Sequence, residues 1–196
     1  MKRSALYSLH GRAGASFAEY FGWELPAFFV APEREAGQIR EGAGMADASY
    51  FLKFDLKSQP EQDAWCLGAK HYLVVGEPPM PAPLGGVDVT SAYAVLRLAG
   101  PKSREVLGKL TSLNLSNRAL PDRSCAQASL AHIPGIFLRQ DIGTMLGFHL
   151  LVTRDHAESV WTAILHAGRE FRVCASGLEA FHLLQNGTVE SNHAAF

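Results

Sequence analysis

Long apolar runs are missing from this 196-residue chain. No stretch approaches the roughly 20 residues that a membrane-spanning helix needs, so no membrane partner is expected. A surplus of charge is missing too: 18 Lys and Arg stand against 19 Asp and Glu, for a formal net charge of −1. That balance leaves no basic face to neutralise phosphates and argues against a nucleic-acid partner. Cysteine is scarce. Cys66, Cys125 and Cys174 are odd in number and widely spaced, which excludes a disulfide framework and a CxxC metal pair and suits a reducing cytoplasm. The eight histidines show no HxxxH pair and no His-plus-carboxylate spacing, so no metal is expected. Met1-Lys2-Arg3-Ser4 is basic, but no apolar secretion segment follows it. No internal repeat, Ser/His/Asp order or phosphate-cradling glycine loop is present.

What remains is an ordinary globular composition, 47% hydrophobic and 19% charged. A chain of this length buries about 70% of its extended surface without staples, as one large domain or two packed halves. Residues 4–21 read as a helix and then a turn, because Leu6, Leu9, Ala13, Phe17 and Phe21 have partly helical spacing while Gly11 and Gly14 interrupt it. Pro32 opens a helix with Glu33 and Glu35 in its first turn, ending at Gly42 or Gly44. Residues 51–57 are the clearest strand: Leu52, Phe54 and Leu56 alternate with Lys53, Asp55 and Lys57, one face buried and one wet. Residues 60–67 suggest a short helix and residues 72–76 a strand.

The Pro- and Gly-rich residues 77–86 form a loop, the one candidate boundary inside a single compact unit over 1–196. Beyond it, residues 93–99 read as a strand ended by Gly100. Pro101 then opens a helix with Val106, Leu107 and Leu110 on one stripe. Residues 125–132 and 136–139 read as a hairpin turning at Pro134-Gly135, and residues 147–152 as a strand. A helix capped by Thr153 or Asp155 follows, with Ala157, Val160, Trp161, Ile164 and Leu165 inward and Gly168 at its end. A short strand at 171–174 and a helix at 178–184 complete the chain. The mixture predicts an α+β fold of largely antiparallel sheets with flanking helices.

Several runs carry a family likeness. Leu6-Tyr7 with Gly22-Trp23-Glu24-Leu25-Pro26, then Gly44-Met45-Ala46-Asp47-Ala48-Ser49, resemble the opening of the glycine-cleavage T protein, the aminomethyltransferase that hands a one-carbon unit to tetrahydrofolate. Leu96 to Leu107, Gly147-Phe148 and Ala157 to Trp161 resemble its middle strand, Gly-Phe strand and following helix. Gly100-Pro101 through Asn114-Leu115, with Ala119-Leu120-Pro121 and Ser124 to Gln127, look more like the gamma subunit of heterotetrameric sarcosine oxidase, a shortened relative that assists a catalytic subunit. The resemblance implies a folate-binding, aminomethyltransferase-like fold without the family's C-terminal domain. It also implies tetrahydrofolate as the coenzyme to test for and flavin-dependent oxidoreductase subunits as partners.

The likeness is weakest where the family does its chemistry. The segment carrying the Asp that positions the folate nitrogen is mostly replaced by the 77–86 loop. The family's Gly-Glu-Asp-Gly-Phe-Glu motif stands as Thr144-Met145-Leu146-Gly147-Phe148-His149, with both glutamates gone, and its late Ala-Arg-Asp run stands as Ala180-Phe181-His182. By resemblance, Phe51, Arg139 and His149 are the residues left to line a coenzyme site. Each also has a plainer reading: Phe51 as core, Arg139 as a surface or interface arginine, His149 as a satisfied or exposed histidine. No catalytic residue is identifiable. The chain reads as a family member without autonomous catalysis, an accessory subunit of a folate-linked one-carbon or amine-demethylating complex. The alternatives are an active tetrahydrofolate-binding transferase with a rearranged pocket, and a stand-alone binder of another planar ligand.

Overall fold

The computed structural model describes the backbone of residues 1–193 and the side chains of residues 1–187. In chain order the elements are β1 (Lys2–Arg3), α1 (Tyr7–Arg12), β2 (Ser16–Tyr20), β3 (Trp23–Phe28), α2 (Pro32–Glu41), β4 (Ala43–Asp47) and β5 (Leu52–Leu56). Then come β6 (Trp65–Gly68), β7 (His71–Gly76), β8 (Val87–Asp88), β9 (Tyr93–Ala99), α3 (Ser103–Leu107), β10 (Cys125–Leu130) and β11 (Ile133–Arg139). The chain continues through β12 (Gly147–Thr153), α4 (Ala157–Ala167), β13 (Val173–Ala175) and α5 (Leu178–His193). They form three sheets, ordered β1-β3-β2, β10-β11-β12-β9-β4-β13 and β6-β7-β5-β8. Pairing is antiparallel except for β1 with β3 and β13 with β4. The fold is α+β with largely antiparallel sheets, as the sequence predicts. Among the described residues no helix is long and apolar enough to cross a membrane.

The six-stranded sheet organises the core because strict alternation sends successive residues to opposite faces. On one face Leu96, Leu98, Phe137, Phe148 and Leu150 pack against Trp161 and Ile164 of α4. On the other, Ala46, Val95, Leu138 and Leu151 pack against Ile39 of α2 and Phe181 of α5. Glu35, 1% exposed, fastens the second layer: its carboxylate accepts the backbone N–H groups of Phe29 at 2.6 Å, Val30 at 2.8 Å and Gly177 at 2.8 Å. Gly177 must be glycine, since a Cβ there would collide with the Ala27 carbonyl. One carboxylate thus ties α2, the end of β3 and the start of α5 together.

Several local expectations are corrected. Only Tyr7–Arg12 of residues 4–21 is helical; Gly14, at φ +82°, turns the chain, and Ser16–Tyr20 is a strand paired to β3. Residues 60–67 form no helix, because Trp65–Gly68 pairs with β7 instead. The hairpin turns at Ala131 and His132, both left-handed (φ 50° and 68°) as a two-residue turn between twisted strands requires. Pro134 and Gly135 lie inside β11, Pro134 next to the strand's first residue, where a missing N–H is tolerated. Neither Thr153 nor Asp155 caps α4; a 3₁₀ turn over Arg154–His156 leads into it, and Thr153 Oγ1 lies 2.9 Å from His156 Nδ1.

The largest correction concerns Lys53, expected on a wet face and in fact fully buried. Alternation reports polarity, not cover. β5 lies between β7 and β8, and the Lys53 side is roofed by the chain entering β9. There Nζ donates to the carbonyls of Ser49 at 3.0 Å and Tyr93 at 3.1 Å. Asp47 stands near as a counter-charge. The Asp47 carboxylate accepts the backbone N–H (3.0 Å) and hydroxyl (2.6 Å) of Ser49 and lies 3.3 Å from His10 Nε2. Burial alone would raise this carboxyl; the His10 contact, with Ser4 and Ser49, carries it below the usual value instead. The cluster is a pin joining α1, β4, β5 and β9.

Candidate functional site

The inner face of the six-stranded sheet carries two polar side chains in an otherwise apolar layer. Arg97 on β9 and His149 on β12 are direct partners in the strand register, with Ala46 and Leu138 on their outer sides. Each is 5% exposed. Aromatic rings enclose them. Phe51, 4% exposed, meets the His149 ring edge-on at 5.4 Å between centroids. Tyr50 packs on Phe51 at 4.9 Å, and the Arg97 guanidinium lies 4.9 Å from the centre of the Phe181 ring, a cation–π arrangement. Tyr20 and Phe21 extend the aromatic wall beyond Tyr50.

Two polar groups here are poorly satisfied. His149 Nε2 is buried without a hydrogen-bond partner. Burial first, and the Arg97 charge second, pull this imidazole down to about 3, so it is neutral at physiological pH. Among the described residues no hydrogen bond or ion pair reaches the Arg97 guanidinium; it has the Phe181 ring and the longer-range pull of Glu77 and Tyr50. Burial lowers the Arg97 pKa while Glu77 and Tyr50 oppose that shift. Burial and the neighbouring Glu77 both raise the Tyr50 hydroxyl. Glu77, exposed at the start of the proline-rich segment, is the acidic group nearest in effect to this cluster.

Of the three residues singled out in sequence, Phe51 and His149 come together and Arg139 does not join them. Arg139 lies one position beyond Leu138, and alternation sends it to the opposite face of the sheet. There its guanidinium grips Asp141 through two bonds of 3.1 and 2.8 Å, and it donates to Asn117 Oδ1 at 2.8 Å and the Leu120 carbonyl at 2.7 Å. It borders a cleft of about 440 Å³ with Arg40, Arg104, Asn117 and Met145. A second cleft of about 400 Å³ is bordered by Asp63, Trp65, Val75, Arg123 and Gln140; its one carboxylate, Asp63, is paired with Arg123 at 2.6 Å. Arg97, Tyr50 and Phe181 were missed in the sequence. The available signal was an arginine inside the apolar run Ala94-Val95-Leu96-Arg97-Leu98-Ala99.

Known structures share this architecture. The glycine-cleavage aminomethyltransferase T of Bartonella henselae superposes with a TM-score of 0.72 at 17% identity, over 94% of this chain and 62% of that one. A chain of the heterotetrameric sarcosine oxidase of Corynebacterium sp. U-96 superposes with a TM-score of 0.58 at 16% identity, over 72% of this chain and 92% of that one. The fold is thus that of the aminomethyltransferase-like proteins. The GCVT N-terminal domain matches residues 80–191, and the chain belongs to that family. Aminomethyltransferases of Shouchella clausii and Geobacillus kaustophilus are 26% and 28% identical to it, over 91% and 92% of this chain. The chain spans 61% and 62% of the length of those two relatives.

Proposed function

We propose that this chain is an aminomethyltransferase-type domain, packed as one unit across residues 77–86, that does not catalyse one-carbon transfer on its own. In this reading it serves in the cytoplasm as an accessory subunit of a complex that couples flavin-dependent amine oxidation to one-carbon chemistry. One observation carries the proposal: the inner face holds a buried cation and a neutral imidazole where a coenzyme grip would need carboxylates. Tetrahydrofolate is the coenzyme the family implies, and the donor edge of its pterin ring calls for acceptors, best of all a carboxylate. The residues present do not fit it. Arg97 is donor-only, Met145 is a feeble acceptor, and His149 offers at most one ring nitrogen. No side chain among them is placed to manage a proton at the reacting nitrogen. The multi-subunit sarcosine oxidase sharing the fold supports the choice of partner class.

Calorimetric titration of the purified chain with tetrahydrofolate and with folinic acid tests the loss of coenzyme binding. No saturable heat is expected up to millimolar ligand. Saturable binding accompanied by formaldehyde or ammonia turnover would establish the rival reading, an active transferase using a rearranged pocket; the cleft beside Trp65 and Asp63 is the place such a pocket would occupy. The subunit assignment is tested by affinity purification from the native host, which is expected to retain a flavoprotein in stoichiometric amount. A chain that elutes alone and monomeric overturns it.

A further inference from the structure

We propose that Arg97 and His149 form a binding site for a small carboxylate. A guanidinium 5% exposed that no hydrogen-bonding acceptor among the described residues reaches is an expensive thing to bury, and unsatisfied groups of this kind are rare in folded proteins. Here the Arg97 guanidinium lies in register on the neighbouring strand beside His149 Nε2, a buried atom with no hydrogen-bond partner. The other buried cations of this fold are not left this way. Lys53, buried deeper still, has two carbonyl acceptors and Asp47, and Arg139 has four acceptor contacts.

The chemistry of the occupant follows from the donors. A guanidinium is a planar fork that matches the two oxygens of a carboxylate, and a neutral imidazole N–H can add a third bond. Phe51 against His149 and Phe181 against Arg97 wall both groups with aromatic rings, so the probes are the smallest carboxylates, formate and acetate. Among the described residues the competing acid is Glu77, which acts on Arg97 electrostatically without making an ion pair within 4 Å. It is exposed and also acts on the Tyr50 hydroxyl. The polarity of this site is opposite to one that holds a pterin by carboxylates. The inference is independent of the accessory-subunit reading, because the test needs neither folate nor a partner chain.

The test is thermal unfolding of the full chain in sodium formate and sodium acetate, against sodium chloride at equal ionic strength. A saturable rise in Tm of roughly 3 °C is expected at about ten times Kd. It should be lost in Arg97→Met and strengthened several-fold in apparent affinity in Glu77→Gln. Chemical shifts of the His149 ring in the wild-type chain, followed during a formate titration, keep the proposal testable if Arg97→Met does not fold; they should move and saturate. Equal responses to formate and chloride, the same response in Arg97→Met, or His149 signals that stay fixed through 100 millimolar formate (roughly a hundred times a millimolar Kd) overturn the proposal. So does a Glu77→Gln variant that loses stability without gaining formate response, since Glu77 itself would then be the partner of Arg97.

Discussion

Two buried cations divide this molecule. Lys53 is held from within the chain by two carbonyl oxygens and the nearby Asp47, which in turn meets the His10 ring and Ser49. Arg97, at a similar depth, faces the flat of Phe181 and a neutral histidine. Burial depth alone does not separate structural charges from functional ones; completeness of the partner set does. A charge closed on its own chain behaves as a fastening. A charge left open is poised toward something the chain does not supply.

The contrast can be broken most forcefully at Asp47. Asp47→Ala strands Lys53 and the His10 ring in the core and is expected to cost about 3–5 kcal/mol in urea unfolding; a loss under 1 kcal/mol would mean that the pin is decorative. Lys53→Met comes next. It leaves the Ser49 and Tyr93 carbonyls without their donor, for about 1–3 kcal/mol, and it changes the pH profile. Burial pulls the Lys53 amine down to about 7 from an ordinary 10.5. Between those values the unfolded chain holds a proton that the folded chain has released, so wild-type stability rises from pH 7 toward pH 10.5 on this account. Unfolding measured across that range should show the rise in the wild type and a flatter line in Lys53→Met.

Arg97→Met is the sharpening test. Replacing an incompletely partnered buried charge with an apolar chain of similar length should cost less than about 1 kcal/mol without added anion, far below the Asp47 variant. A loss as large as that of Asp47→Ala would place Arg97 among the fastenings. The smallest change is expected for His149→Phe. Removing an orphaned nitrogen is close to neutral, so Tm in chloride should move by less than about 3 °C.

The fold was largely legible because periodicity carries it. The helix starting at Pro32, the strand ended by Gly100 and the apolar stripe of Val160, Trp161 and Ile164 follow from spacing and from where Pro and Gly fall. The N-terminal strand was not legible: Phe17 and Phe21 continue a plausible helical spacing, and pairing with β3 overrides it. The site was legible in half. His149 was found because a family glutamate is missing there, and Phe51 because it lies in a family-like turn. Arg97 was hidden inside a strand, where one basic residue in an apolar run is normally assigned to a wet face. Lys53 was hidden by the same logic on a strand whose second face is also covered. Alternation says which residues share a side; only the tertiary arrangement says whether that side sees water.

Glu35 bears on the inner face through α5. Its three backbone bonds tie the start of α5 to the end of β3, and α5 carries the Phe181 ring that covers Arg97. That cover cannot lift without breaking the bonds of a buried carboxylate, so a side chain in another helix holds the ring in place over the guanidinium.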